Sequence, residues 1–160
     1  MGIPGWAKAT PVNPLLWRDK TKANIWVSAA GPISNFSLAT LAFIVIKVLL
    51  TTGTLREGFR GEGGPFSIVV PMIKGGVMEP VATMLSIFLI LNMSLGVFNL
   101  FPIPPLDGSH IIESLLPYEM AKSYEQIRPY GFILLIGFIY TPIPGWVFVN
   151  IVRLIRLLLF

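Results

Sequence analysis

The sequence predicts an all-α polytopic membrane protein with three or four transmembrane helical segments. The chain of 160 residues is 54% hydrophobic, and only 12% of its residues are charged. Soluble domains carry about 25% charged residues, so a soluble globular fold is disfavoured. Three stretches contain no Asp, Glu, Lys or Arg: 23–46, 80–106 and 129–152. Each is long enough to cross a bilayer, because a membrane helix needs roughly 20 predominantly apolar residues.

The chain is predicted to form a single membrane domain, 1–160, that opens with an interfacial entry segment, 1–24. This segment is rich in Pro, Trp and Lys, and tryptophan suits the headgroup layer because its ring has one wet and one dry side. Its basic residues match the positive-inside pattern, but the basic residues of the next loop nearly balance them, so the orientation stays open. The net charge of +4 reflects the membrane surface and does not indicate nucleic acid.

The first predicted span, 25–50, begins with a half that is rich in small residues. Small residues let helices approach closely in lipid, where no hydrophobic force drives their association. Gly31 and Pro32 lie in this half, and Pro32 frees the carbonyl of Ser28 from its helical bond. Asn35 adds an amide that would be costly if it faced lipid. We therefore assign Gly31, Pro32 and Asn35 to helix packing.

The remaining regions are divided by glycine, proline and charge. A loop over 51–79 contains the apolar patch Phe66–Val70, which is an edge strand, a re-entrant segment or a lipid-skimming loop. A second span, 80–107, ends in a proline-broken segment. An amphipathic connection, 108–128, follows. The last region, 129–160, is interrupted by a proline-containing break, which predicts a kinked C-terminal span or a shallow helical hairpin.

Asp107 is the principal candidate for a functional residue. No charged side chain lies between Glu79 and Asp107, and ionisable groups at membrane depth are functional candidates by default. One interpretation is a helix N-cap, since Asp is a leading N-cap residue. The other is a metal ligand, although a catalytic zinc site usually has three protein ligands and a water. The chain contains no cysteine, so thiolate ligands and thiol nucleophiles are excluded.

Other polar residues near Asp107 have structural alternatives. His110, the only histidine, lies three residues further on and would share a helix face with Asp107, but a lone interfacial histidine is more often a headgroup contact. Asn99 serves an interhelical hydrogen bond, the orientation of a metal or substrate, or both. The glutamates of this region are interpreted as residues of the wet face rather than as a general base.

Three motifs together resemble the site-2 protease family of intramembrane zinc metalloproteases. Residues 99–108 look like the NxxPxxxLDG signature of that family, and residues 31–35 look like its GPxxN segment. Residues 5–14 resemble the GWAKPVPVNP stretch of compact members without a PDZ domain, departing at Ala9 and Thr10. The motifs occur in the family order and span residues 5–108. The C-terminal tail is similar only in being apolar and broken by proline.

The resemblance implies a zinc ligand and positioning residues. Asp107 takes the place of the third zinc ligand, and Asn99, Pro102 and Gly108 take places that position the substrate or the site. The family's other two ligands and its general base lie on an HExxH helix, and no His-Glu pair occurs in this chain. The family order places that helix before Met1. With one zinc ligand and no catalytic residue, this chain alone is expected to be inactive.

Three explanations fit the missing helix: a truncated sequence, a separate chain that completes the site, or a degenerate, non-catalytic relative. The expected partners are the lipid bilayer and a transmembrane protein substrate or partner helices, in a prokaryotic cell membrane and in a multi-pass arrangement. Two alternatives from other classes are a transporter-like fragment, since transporters also use broken helices at ion sites, and a structural membrane subunit. No inverted repeat supports the transporter.

Overall fold

The computed structural model of the protein describes residues 20–59, 62–64, 66–73 and 75–160. This part is mostly helical, so the predicted all-α membrane class is confirmed, with a small two-stranded sheet added. Most of the predicted entry segment, 1–19, lies outside the described residues. The elements follow in the order α1 (Lys20–Thr51), β1 (Leu55–Glu57), β2 (Val69–Pro71), α2 (Met78–Asn99), α3 (Asp107–Leu115), α4 (Tyr118–Glu125), a 3-10 turn (Arg128–Tyr130), α5 (Gly131–Ile139) and α6 (Ile143–Leu159).

Two helices of the described region are long and apolar enough to cross a membrane. They run over Thr21–Thr51 and Met78–Asn99. The segments Tyr118–Ile139 and Ile143–Leu159 meet at a bend of 65° and together have the length and composition of one more, either as a broken span or as a re-entrant loop. The sequence predicted three or four spans, and these criteria give two or three.

Helices α1 and α2 form the main helix pair of the fold. They approach closely at Gly96, where an added Cβ would lie 2.6 Å from the ring of Phe36. Pro32 lies inside α1 and is fully buried, as expected for a packing residue. Proline is tolerated within a membrane helix when its neighbours cover the freed backbone. A small residue on one helix therefore receives an aromatic ring from the other.

The apolar core lies toward the C-terminal end of α1. Its members come from α1, α2, α6 and the sheet region, and among them are Ala39, Ile46, Leu89 and Ile155. Lys47 of α1 donates to the carbonyl oxygens at the end of α6, at 2.6 Å for Leu159. A cation at a helix C-terminus satisfies free carbonyls and complements the helix dipole. This end of the bundle is thus closed by both packing and polar contacts.

The apolar patch that sequence reasoning left open contributes strand β2. This strand pairs antiparallel with β1, with Arg56 opposite Val70. Ser86 of α2 is fully buried and supports the sheet, since its hydroxyl accepts from the backbone N–H of Ile68 at 3.2 Å and donates to the carbonyl of Ala82 at 2.9 Å. The hydroxyl of Ser86 thus gives the backbone just before β2 a hydrogen-bond acceptor.

We expect Ser86→Ala to lower the free energy of unfolding by about 1–3 kcal/mol, the cost of a buried donor left without an acceptor. The donor in question is the N–H of Ile68. Chemical unfolding in detergent micelles measures the change. Ser37→Ala is the matched control, because the exposed hydroxyl of Ser37 bonds only within its own helix. Equal effects of the two substitutions would contradict the assignment.

Candidate metal centre

The segment between α2 and α3 folds as a sequence of tight turns. Its prolines, Pro102, Pro104 and Pro105, lack backbone donors and cannot continue α2. Short-range backbone bonds replace the helical ones, including Ile103 N–H to the carbonyl of Phe101 at 2.9 Å and Leu106 N–H to the carbonyl of Ile103 at 2.8 Å. The chain therefore reverses compactly, and α3 starts close to the end of α2.

Asp107 is the first residue of α3, and it is not the N-cap. Leu106 holds the cap position, and no side chain makes a cap hydrogen bond there. The N-cap interpretation of Asp107 is therefore wrong. Within the described residues, the carboxylate accepts no hydrogen bond from any other group. Its oxygens thus remain available as ligands, and an acid in the first helical turn is also favoured by the helix dipole.

The carboxylate of Asp107 lies directly against α1. An ideal Cβ built at Gly31 would be 2.7 Å from Oδ2 of Asp107, which is closer than a real side-chain carbon allows. Glycine at position 31 therefore leaves the space that the acid occupies. Gly31 was predicted as a packing residue, and the group that it accommodates is the candidate ligand itself.

Gly108 fixes the start of α3 against the end of α2. A Cβ at this position would lie 2.2 Å from the carbonyl oxygen of Leu100 and 2.6 Å from that of Phe101. Both contacts are to backbone, so no side-chain movement relieves them. Since Leu100 follows Asn99, the last residue of α2, Gly108 also brings the Asp-Gly pair to the end of the helix that carries Asn99.

The other predicted residues lie around this junction. Asn99 is half-buried, and its spacing from Gly96 places it on the side of α2 that faces α1. Asn35 is half-buried one helical turn beyond Gly31. In the described part of the chain, neither amide makes a side-chain hydrogen bond. The carbonyl of Pro102 accepts a hydrogen bond from Tyr124 at 2.9 Å.

Burial governs the electrostatics of the candidate ligand. Asp107 lies beyond the end of α2, where loss of hydration raises the pKa of its carboxyl and the nearby His110 lowers it in part. Desolvation disfavours the charged form of an acid, and a neighbouring cation favours it. A bound metal cation would act in the same direction as His110 and keep the acid ionised.

His110 turns toward Glu113 and Arg128. Its Nδ1 lies 3.8 Å from the carboxylate of Glu113 and 3.4 Å from the guanidinium of Arg128, and Arg128 is ion-paired with Glu113. Glu113 was interpreted as a residue of the wet face, but only 19% of its side chain is exposed. Within the described ranges, no group of three or more His, Cys, Asp or Glu residues forms a metal site.

Sequence reasoning missed the contacts that hold α3 in place. Asn24 of α1 donates to the hydroxyl of Ser114 at 2.8 Å, and this hydroxyl donates to the carbonyl of His110 at 2.8 Å. Tyr124 and Arg128 reach the proline turn and α3 from the connection that follows. Except for Ser114 and His110, these partners are far apart in sequence and have no fixed spacing, so no local signal identifies them.

We expect Gly108→Ala to destabilise the junction by at least about 1–3 kcal/mol, because overpacking against backbone cannot be relieved by a rotamer change. Thermal unfolding in detergent measures the effect. Gly137→Ala serves as the control, since a Cβ there meets nothing within 4 Å and alanine favours a helix. A neutral Gly108→Ala would refute the close contact with Leu100.

Comparison with known proteins identifies a family. The profile of "Peptidase family M50" matches residues 15–139. The chain is 32% identical over 143 residues to "Putative zinc metalloprotease YwhC" of Bacillus subtilis, covering 89% of the chain and 58% of the relative. It is 33% identical over 106 residues to "Putative zinc metalloprotease CPE1693" of Clostridium perfringens, covering 63% of the chain and 31% of the relative. No solved structure matches.

The chain thus spans little more than half of the Bacillus relative and about a third of the Clostridium one. The family match extends beyond the motifs, through the proline turn and into α5. It covers most of the described helices and the junction that holds Asp107. The chain therefore belongs to peptidase family M50, and its resemblance to the site-2 proteases is confirmed.

Proposed function

We propose that this chain contributes Asp107 as one zinc ligand of an intramembrane metallopeptidase, and that two histidines from outside the chain complete the site. The observation that carries the proposal is the placement of the Asp107 carboxylate. It lies against the backbone of α1 at Gly31, beside the end of α2, and accepts no hydrogen bond from the described residues. Names of relatives as zinc metalloproteases support the identity of the metal.

The residues near Asp107 provide only part of a zinc site. A carboxylate oxygen binds zinc at roughly 2.0–2.2 Å, and a catalytic site needs three protein ligands and an open position. Asp107 fits the part of one such ligand, but His110 is directed toward Glu113 and Arg128 instead. The chain covers only 58% of its Bacillus relative. We therefore assign the other ligands and the general base to sequence that this chain does not contain.

The exposed face of α1 beside Gly31 suits the packing of a further helix. Ala30, Ser34 and Ser37 are exposed there, and the two serine hydroxyls bond back to carbonyls of their own helix, Ala30 and Ile33. Small residues with internally satisfied hydroxyls let a second helix approach closely in lipid. A histidine-bearing helix on this face would place its ligands next to the Asp107 carboxylate.

Within such a site, residues of this chain would bind the cation and orient the substrate. Zinc, when bound, polarises a carbonyl and lowers the pKa of its water. Asp107 would hold the cation from the α2–α3 junction, and Asn99 would offer an amide to the substrate backbone from the end of α2. A transmembrane substrate would have to unwind locally, because the carbonyls of an intact helix are engaged in its own hydrogen bonds.

We expect Asp107→Asn to abolish zinc-dependent cleavage when the chain is produced together with a segment that supplies the HExxH helix. An amide lacks the negative charge that a hard carboxylate ligand supplies, so zinc affinity falls as well. Cleavage of a reporter transmembrane substrate and zinc titration measure the two effects. Glu119→Gln, on the exposed surface of α4, is the charge-matched control. Full activity in Asp107→Asn would eliminate the ligand role.

Gly31→Ala distinguishes the position of the Asp107 carboxylate from the stability of the fold. A methyl group at position 31 would lie 2.7 Å from Oδ2 of Asp107, and the carboxylate can swing away more easily than backbone can. Alanine also stabilises a helix interior relative to glycine by roughly 0.5–1 kcal/mol. We therefore expect unchanged or higher thermal stability together with weaker zinc binding, measured on the same preparation. Unaltered zinc binding would show that the carboxylate's position against α1 does not matter.

A further inference from the structure

The connection that follows α3 reaches back to the proline turn. The phenol of Tyr124, on α4, donates to the carbonyl of Pro102 at 2.9 Å. This carbonyl belongs to the segment in which helical bonding has stopped, so a side chain provides the donor that the backbone does not. Tyr124 thus ties the C-terminal end of α4 to the first proline of the turn, 22 residues earlier in the chain.

A second contact from the same connection holds α3. Arg128, in the 3-10 turn, is ion-paired with Glu113, and its guanidinium lies 3.4 Å from Nδ1 of His110. Both partners are on the helix that Asp107 opens. Glu113 has 19% of its side chain exposed and Arg128 has 47%, so the pair is partly shielded and stronger than a fully exposed one. Arg128 therefore restrains α3 two turns after its start.

A third contact places the start of α5 against the same turn. A Cβ at Gly131 would lie 2.6 Å from Cβ of Pro104 and 2.8 Å from its carbonyl oxygen. The segment from Tyr124 to Gly131 thus meets the turn at two prolines and meets α3 at Glu113. A helix as short as α3 is marginal by itself, so its orientation depends on such contacts.

We propose that Tyr124 and Arg128 are positioning residues for Asp107. They hold the proline turn and α3 in the orientation that keeps the carboxylate against Gly31. Their importance for a metal rests on the proposed function, whereas their control of the position of residue 107 does not. Partners that orient a metal ligand typically change metal affinity 10–100-fold when they are removed, which is the size of effect expected here.

Cross-linking tests the position without any metal. The chain has no cysteine, so Gly31→Cys and Asp107→Cys introduce a single reporter pair. In Asp107→Cys the sulfur takes the place of Cγ of Asp107, which lies 3.6 Å from an ideal Cβ at position 31. This separation leaves room for the second sulfur and an S–S bond of about 2.05 Å. The intact chain, reconstituted in lipid nanodiscs, is oxidised, and the rate of cross-link formation is followed on denaturing gels.

Adding Tyr124→Phe or Arg128→Gln is expected to slow cross-linking roughly fivefold, the factor that corresponds to one net hydrogen bond. The matched controls are Tyr118→Phe, at an exposed tyrosine of the same helix, and Arg153→Gln, at an exposed arginine of α6. Both controls should retain the original rate. Arg128→Lys keeps a cation beside Glu113 and should restore part of the rate lost in Arg128→Gln.

Two cross-linking outcomes would overturn the proposal. One is an unchanged cross-linking rate in Tyr124→Phe and Arg128→Gln. The other is a loss that appears equally in the controls or that follows a lower thermal midpoint, since this would reflect general destabilisation. If Arg128→Gln does not fold, Tyr124→Phe decides alone, because it removes one oxygen atom and leaves the ring.

Zinc titration with the histidine-bearing segment present completes the test. With Asp107 unaltered, Tyr124→Phe should weaken zinc binding and change the visible spectrum of bound cobalt, because the ligand geometry changes. Normal zinc binding in Asp107→Asn would refute the proposed function while the cross-linking result stands. Weaker zinc binding in Asp107→Asn but not in Tyr124→Phe or Arg128→Gln would refute the positioning role alone.

Discussion

The contact between Gly108 and the carbonyl of Leu100 is the constraint on which the candidate site depends. An added Cβ would come within 2.2 Å of that oxygen, so any larger residue would force the two backbone segments apart. The preceding prolines make the contact necessary, because they end α2 and require the chain to reverse before α3. With Gly108 at this position, α3 starts beside the end of α2, and the carboxylate of Asp107 lies against α1. Glycine at position 31 then provides the space that the carboxylate fills.

The two ends of the bundle are built differently. At the C-terminal end of α1, apolar side chains such as Ile46 and Ile155 are almost completely buried, and Lys47 closes the end of α6. At the opposite end, Gly31 is exposed and Asp107 is only half-buried. The first end contains much of the buried apolar core, while the second presents polar groups and small residues at an open surface. A fold anchored at one end can leave its other end available for a further helix.

The sequence predicted the helices well because charge is costly in lipid. The uncharged stretches 23–46 and 80–106 mark α1 and α2, and proline marks where α2 stops. Sequence reasoning left the patch Phe66–Val70 open, since strands of three residues are too short for a periodic pattern. The helix N-cap interpretation of Asp107 was wrong by one position, because cap identity depends on backbone angles that composition does not determine.

The site itself was predictable only through its motifs. No spacing rule places residue 107 against residue 31, since that contact depends on how α1 and α2 cross and on the turn between α2 and α3. The motif resemblance paired the two segments without indicating that one glycine makes room for the acid. The contacts of Tyr124 with Pro102 and of Arg128 with Glu113 were not predictable at all, because side-chain partners at long sequence separation follow from tertiary structure.

The placement of Asp107 depends on glycine at two positions, 31 and 108, for two different reasons. At position 108 a Cβ would collide with backbone atoms, which cannot rotate away as a side chain can. Glycine there therefore determines where α3 starts. At position 31 a Cβ would collide with the carboxylate of Asp107, which is the end of a side chain and can move. Glycine there therefore determines where the carboxylate lies. The first glycine is therefore a condition of folding and the second a condition of ligand placement. A substitution at Gly31 can consequently impair metal binding while the helices pack as before, and one at Gly108 cannot.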